Sequence, residues 1–167
     1  YTTRKGRDMP IIMLESPEAQ NLMERDYRLR HLMQAVGDLE CRKPELAFHS
    51  LAHSIIEQML SMKVGRAIEE RLLNLCEDEL IPDRVARLAP ESIKACGMSM
   101  RKAQYLHSLA EYALTYDLES FANLPDAAVG GELQKLPGIG KWICDMFLLF
   151  YLGRSDILPV EDGNHRM

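Results

Sequence analysis

Leu136-Pro137-Gly138-Ile139-Gly140-Lys141-Trp142 stands between two apolar helical stretches of a 167-residue chain. Pro137 ends the helix before it, and Gly138 and Gly140 permit backbone angles and close approaches that a Cβ would forbid. A Gly-rich turn opening onto a helix presents unpaired backbone N–H groups and the positive end of the helix dipole. That arrangement suits a phosphate, and Lys141 adds a cation beside it. The same turn also serves as the bend of a plain αα-hairpin. The downstream residues separate the two readings: a helix rich in Trp and Phe, then Arg154-Ser155-Asp156-Ile157-Leu158-Pro159-Val160-Glu161-Asp162, a loop ending in two carboxylates.

Two upstream stretches extend the pattern. Phe48 to Leu73 contains Ile55-Ile56-Glu57-Gln58-Met59-Leu60-Ser61, and further on comes Cys96-Gly97-Met98-Ser99-Met100-Arg101-Lys102-Ala103. With the hairpin and Asp162, these resemble the helix-hairpin-helix (HhH-GPD) DNA glycosylases, in particular the 3-methyladenine DNA glycosylase II type. That family runs helix, wedge loop, helix, then a Gly-x-Ser-x-x-Lys segment, then the hairpin, then a Pro-rich loop with an essential aspartate. The separation of Gly140 from Asp162 fits one helix and a loop, and the resemblance extends from about residue 26 to 163. It implies an all-α, two-lobed helical domain with a cleft between the lobes. Residues 1–15 then form an N-terminal extension, residues 16–167 the glycosylase domain, and residues 132–152 roughly the hairpin. Only Gly163 to Met167 come after the aspartate, so the domain is expected to be truncated after its catalytic loop.

The resemblance assigns roles residue by residue. Asp162 is the catalytic carboxylate, stabilising positive charge on the deoxyribose and orienting or deprotonating the attacking water; Glu161 is expected to point elsewhere. Enzymes that cut a base out of a duplex extrude it and commonly fill the gap with a wedge. Met59 occupies the wedge position, although Met at helical spacing also reads as core. Ser61, Gly138, Gly140 and Lys141 belong to the DNA-contacting set. Members that also cut the strand carry a lysine two residues after the second hairpin glycine, where it forms a Schiff base. Here that residue is Trp142, and Lys141 lies about 100° around the helix, so a monofunctional glycosylase is expected. Trp142 and Met146 then line the pocket, the indole face stacking on a cationic alkylated base; a Trp beside a turn also serves as a core anchor. The backbone carbonyls of Gln134, Leu136 and Ile139 match those that hold a structural Na⁺ or K⁺ in the family.

Composition bounds the remainder. Apolar residues make up 47% of the chain, enough for one core, and no apolar run reaches membrane-spanning length. A net charge of −5 argues against a broadly basic surface, so contact with damaged double-stranded DNA has to rest on backbone amides and a local patch. Lys63, Arg66, Arg101, Lys102, Lys135 and Lys141 flank the motifs. No secretory signal opens the chain, which makes a cytoplasmic, nucleoid-associated monomer the expectation. Cys41, Cys76, Cys96 and Cys144 form no close pair, so reduced thiols are expected and no iron–sulfur cluster. His49 and His53 share a helix face, a spacing that binds metals, but no carboxylate partner is evident in the nearby sequence.

Apolar residues recur at three and four, as in Leu51, Ile55, Met59 and again Val64, Ile68, Leu72, Leu75, the helical period. Ser16-Pro17 starts a helix that Gly37 closes, Pro44 starts the next, and Ser61 caps one from Met62 to about Cys76. Pro82 and Pro90 bracket a short helix ended by Gly97, and Ser99 caps a longer one to about Tyr116. Gly130 and Gly131 each cost a helix about 1 kcal/mol relative to Ala, so the pre-hairpin helix is expected to start near Glu132. Two rival readings remain open: a non-catalytic helix-hairpin-helix module that binds DNA structure, and a helical protein–protein adaptor.

Overall fold

The computed structural model describes residues 11–40 and 46–159. Its elements are helices apart from one antiparallel ladder of two-residue strands, β1 (Ile11–Ile12) and β2 (Leu39–Glu40). The class is all-α. Two compact units divide the chain, Tyr1–Lys43 and Pro44–Met167.

In the first unit, α1 (Pro17–Arg25) opens as expected, with the Ser16 hydroxyl accepting from the Ala19 N–H at 3.2 Å and Pro17 in the first turn. A break that periodicity does not show falls at Asp26. Its extended backbone ends α1, and its carboxylate accepts from the Arg28 N–H at 2.8 Å to cap α2 (Tyr27–Val36). Gly37, at φ +79°, then closes α2.

The second unit is built around α3 (Ala47–Glu57), whose Leu51, Ala52, Ile55 and Ile56 are fully buried. Pro44, its expected start, lies outside the described residues. No side chain in sequence caps α3; the Ala47 N–H instead donates to Glu119 Oε1 at 2.9 Å. The α4 helix (Met62–Leu75) has its expected bounds, although the Ser61 hydroxyl makes no cap hydrogen bond. Pro82 and Pro90 each start a helix of their own, α5 (Pro82–Ala86) and α6 (Pro90–Ala95), rather than bracketing one. Ser99 caps α7 (Met100–Thr115) through the Lys102 N–H at 3.2 Å. A 3-10 turn (Leu118–Asn123) comes next.

The pre-hairpin helix α8 runs Asp126–Leu133 and contains both glycines, so it begins earlier than Glu132. Its Val129 and Leu133 are fully buried, and that packing outweighs the conformational cost of the glycines. After the hairpin turn, α9 (Lys141–Met146) continues directly into a π-helical turn, Phe147–Tyr151. Its wider winding shows in the Leu152 N–H, which donates to the Phe147 carbonyl at 3.0 Å. Aromatic rings link these segments. Tyr116 and Phe121 lie 5.2 Å apart, Phe121 meets Phe147 edge-on at 6.1 Å, and Phe147 stacks on Tyr151 at 4.9 Å.

Candidate active site

The hairpin turn separates its two glycines by what each must do. Gly138 sits at φ +86°, and a Cβ there would lie 2.1 Å from the Tyr105 ring on α7. Its glycine is demanded twice, by backbone hand and by packing. Gly140 has φ −93° and ψ −179°, which any residue adopts, and nothing lies within 4 Å of its would-be Cβ. The fold itself does not call for glycine at that exposed point. The turn closes through the Ile139 N–H donating to the Leu136 carbonyl at 3.2 Å, which leaves that oxygen a second lone pair.

Past the turn, Lys141 pairs with Asp145 one helical turn on, Nζ to Oδ2 at 2.6 Å. Asp145 is buried, a partner that the motif alone does not indicate. Trp142 is half-buried against the core, and Met146, four residues on, is half-buried on the same helix. Burial, with the Asp145 carboxylate adding to it, pushes the Cys144 thiol up to about 11. Cys76, Cys96 and Cys144 are free and buried; Cys41 lies outside the described residues.

Between α3 and α4 the chain turns sharply at Met59, a non-glycine residue in the left-handed region at φ +63°. Its side chain is 68% exposed, which excludes the core reading left open by its spacing. Ser61 beside it is exposed too. Lys102 does not join a surface patch: its Nζ donates to the carbonyls of Ile56 at 2.8 Å and Gln58 at 2.5 Å. Burial pushes its pKa down. Of the other patch candidates, Lys63 and Arg66 are exposed, Arg101 bonds to the Tyr105 hydroxyl, and Lys135 pairs with Glu132 at 2.7 Å.

Asp162 and Glu161 lie outside the described residues. The loop leading to them is tied down at its root, where Arg154 Nη2 donates to the carbonyls of Ala122 at 3.3 Å and Leu124 at 3.1 Å.

His49 and His53 have a carboxylate partner after all, from α4. Glu69 meets His49 Nε2 and His53 Nδ1, each at 2.8 Å, and Glu57 lies 3.2 Å from His53 Nε2. Twenty residues of sequence hide a contact that the α3–α4 packing makes. Among the described residues no group of three or more His, Cys, Asp or Glu side chains could hold a metal ion. The cluster is a clamp between helices. Burial alone would raise Glu69, but hydrogen bonds from both histidines hold it down at about 2, below its ordinary 4.5. The bond to Glu69 in turn raises His53 above 6.5, against the opposing effect of burial. A depressed carboxylate stabilises above its unfolded pKa and a raised histidine below its own, so the clamp is strongest between them. The thermal-stability gap between the parent and Glu69→Gln is therefore expected to peak near about pH 5.5 and narrow toward both pH 3 and pH 8. A pH-independent gap in thermal melts rules the clamp out.

These features match a known family over most of the chain. The family model described as HhH-GPD superfamily base excision DNA repair protein matches residues 52–167. The chain belongs to the HhH-GPD superfamily. Among curated relatives, DNA-3-methyladenine glycosylase 1 of Schizosaccharomyces pombe is 27% identical over 148 residues, covering 82% of this chain and 64% of its own length. The present chain thus spans just under two thirds of that relative. A DNA-3-methyladenine glycosidase from Bacillus halodurans, solved by crystallography, superposes with a TM-score of 0.75 at 31% identity, covering 92% of this chain and 72% of that one. The S. pombe 3-methyladenine DNA glycosylase Mag1, solved in complex with abasic DNA, has a TM-score of 0.75 at 26% identity over 82% of this chain and 70% of that chain. HhH-GPD membership agrees with the order of the Met59 turn, the Ser99 segment and the hairpin along the chain. The motifs do not point to Glu119, Tyr105 or Arg154; of these only Tyr105, three residues beyond Lys102 on one helix face, leaves a local signal.

Proposed function

We propose that this protein is a monofunctional DNA glycosylase that hydrolyses the N-glycosidic bond of alkylated, 3-methyladenine-type bases in duplex DNA, leaving an abasic site for base-excision repair. The observation that carries this reading is the hairpin itself: Gly138 is locked against Tyr105 while Gly140 stands open. Room that the fold does not use is room for an external phosphate to reach backbone N–H groups at the start of α9. The names of the S. pombe and B. halodurans relatives support the alkylated base, and the abasic DNA bound to Mag1 supports DNA as the partner.

In this reading, Met59 enters the duplex where the damaged base leaves it. The base stacks on Trp142, with Met146 beside it. Asp162 faces the sugar and activates water as the glycosidic bond breaks, the electron pair leaving with the base. The alkylated base is already cationic and departs readily, which lets a loosely selective pocket suffice. Trp142 stands where strand-cutting members place their lysine, so no covalent enzyme–DNA adduct forms. A Na⁺ or K⁺ held by the carbonyls of Gln134, Leu136 and Ile139 would add positive charge toward the phosphate.

The test uses duplex oligonucleotides carrying 3-methyladenine-type or hypoxanthine lesions, with and without hot alkali. Strand breaks are expected only after alkali, and borohydride is expected to trap no protein on the DNA. A trapped complex, or breaks without alkali, contradicts the monofunctional assignment.

A further inference from the structure

The C-terminus of α3 poses a local problem. Its last carbonyls lack intrahelical partners, and a helix so deeply buried cannot give them all to water. Gln58 leaves the helix with extended backbone, and the turn that follows closes through the Leu60 N–H donating to the Glu57 carbonyl at 2.9 Å, a turn whose third residue is left-handed and ordinarily glycine. Here Met59 takes that conformation at φ +63°, at a cost of about 1 kcal/mol or more. Something has to hold the turn in place. The Lys102 ammonium bonds to the Ile56 and Gln58 carbonyls, at 2.8 and 2.5 Å, across more than forty residues of sequence. Its positive charge also suits the negative end of the α3 dipole. One turn along the same face of α7, the Tyr105 ring packs against Gly138. A single helix therefore touches both the turn that presents Met59 and the turn of the hairpin.

We propose that Lys102 is a positioning residue: by fixing the Ile56 and Gln58 carbonyls it preorganises the turn that aims Met59 at the duplex. This rests on reading Met59 as the wedge. A lysine spent on DNA phosphates would act through salt-sensitive affinity for any duplex, whereas one spent on these carbonyls acts only where a gap awaits the wedge.

The experiment measures affinity for a duplex containing a tetrahydrofuran abasic analogue relative to the undamaged duplex, for the parent, Met59→Ala, Lys102→Met and the double variant. Thermal melts accompany each to confirm folding. Met59→Ala and Lys102→Met are each expected to cut the preference for the abasic duplex by roughly tenfold, and the double variant to cut it no further. Lys102→Arg, which keeps the cation, is expected to restore part of it. If Met59→Ala loses the preference while folded Lys102→Met keeps it, the proposal is overturned and the wedge reading stands. If Met59→Ala keeps the preference, the wedge reading fails and takes the proposal with it. Independent, additive losses also overturn the coupling. Should Lys102→Met not fold, Lys102→Gln carries the same test, since its amide can still donate to one carbonyl.

Discussion

Asp162→Asn is expected to slow base release by about a thousandfold or more while leaving affinity for an abasic-analogue duplex within about threefold of the parent. The substitution keeps shape and size and removes only the negative charge. In the proposed reading, binding draws on the hairpin amides and the Met59 turn, which lie elsewhere in the sequence, whereas breaking the glycosidic bond builds positive charge that a neutral amide cannot balance. Single-turnover release of an alkylated base, with binding measured in parallel, separates the two. A variant that releases the base at more than a tenth of the parental rate moves the catalytic role away from Asp162. A variant that loses binding and release together makes Asp162 a structural residue instead.

Gly138→Ala is expected to destabilise the fold by about 3 kcal/mol, a drop of roughly 10 °C in Tm. Gly140→Ala is expected to leave Tm within about 2 °C and to weaken DNA binding by about tenfold. The contrast comes from geometry. Alanine at position 138 faces both a left-handed backbone and a Tyr105 ring 2.1 Å from its Cβ, while alanine at position 140 meets nothing within 4 Å. Thermal melts and duplex titrations on the two variants read the difference directly. Equal melting temperatures would mean that Tyr105 moves aside at little cost. Undiminished DNA binding by Gly140→Ala would mean that no phosphate approaches the turn there.

Most of what is legible in the sequence is local. Ser16 and Ser99 cap helices within three residues of themselves, and the Pro-Gly-x-Gly turn needs only its neighbours to be recognised. The signals that fail are those in which distant packing decides. Glu119 caps α3 from 72 residues away, and no periodicity announces it. Glu69 looks like a solvated helix residue until α3 brings two histidines to it. Gly130 and Gly131 argue against a helix that Val129 and Leu133 nevertheless stabilise by burial. Met59 shows the same limit in reverse. Its apolar character and spacing suggest core, but the turn exposes it, and only the family resemblance marks it as a wedge.

The π turn at Phe147–Tyr151 sets the phase at which its helix ends at Leu152, one residue before Gly153 turns the chain at φ +68°. Inserting one residue into an α-helical path advances the downstream chain by about 100°. In this protein that offset, followed by the turn at Gly153, precedes the placement of Arg154 on the carbonyls of Ala122 and Leu124. A one-residue deletion within the π turn could leave a more regular helix, yet it would aim Arg154 a quarter-turn or more off its anchor. The loop toward Asp162 would then set out in a different direction. In-frame deletions at this turn are therefore a different kind of damage from substitutions: they keep every side chain of the following loop and move the anchor from which that loop departs.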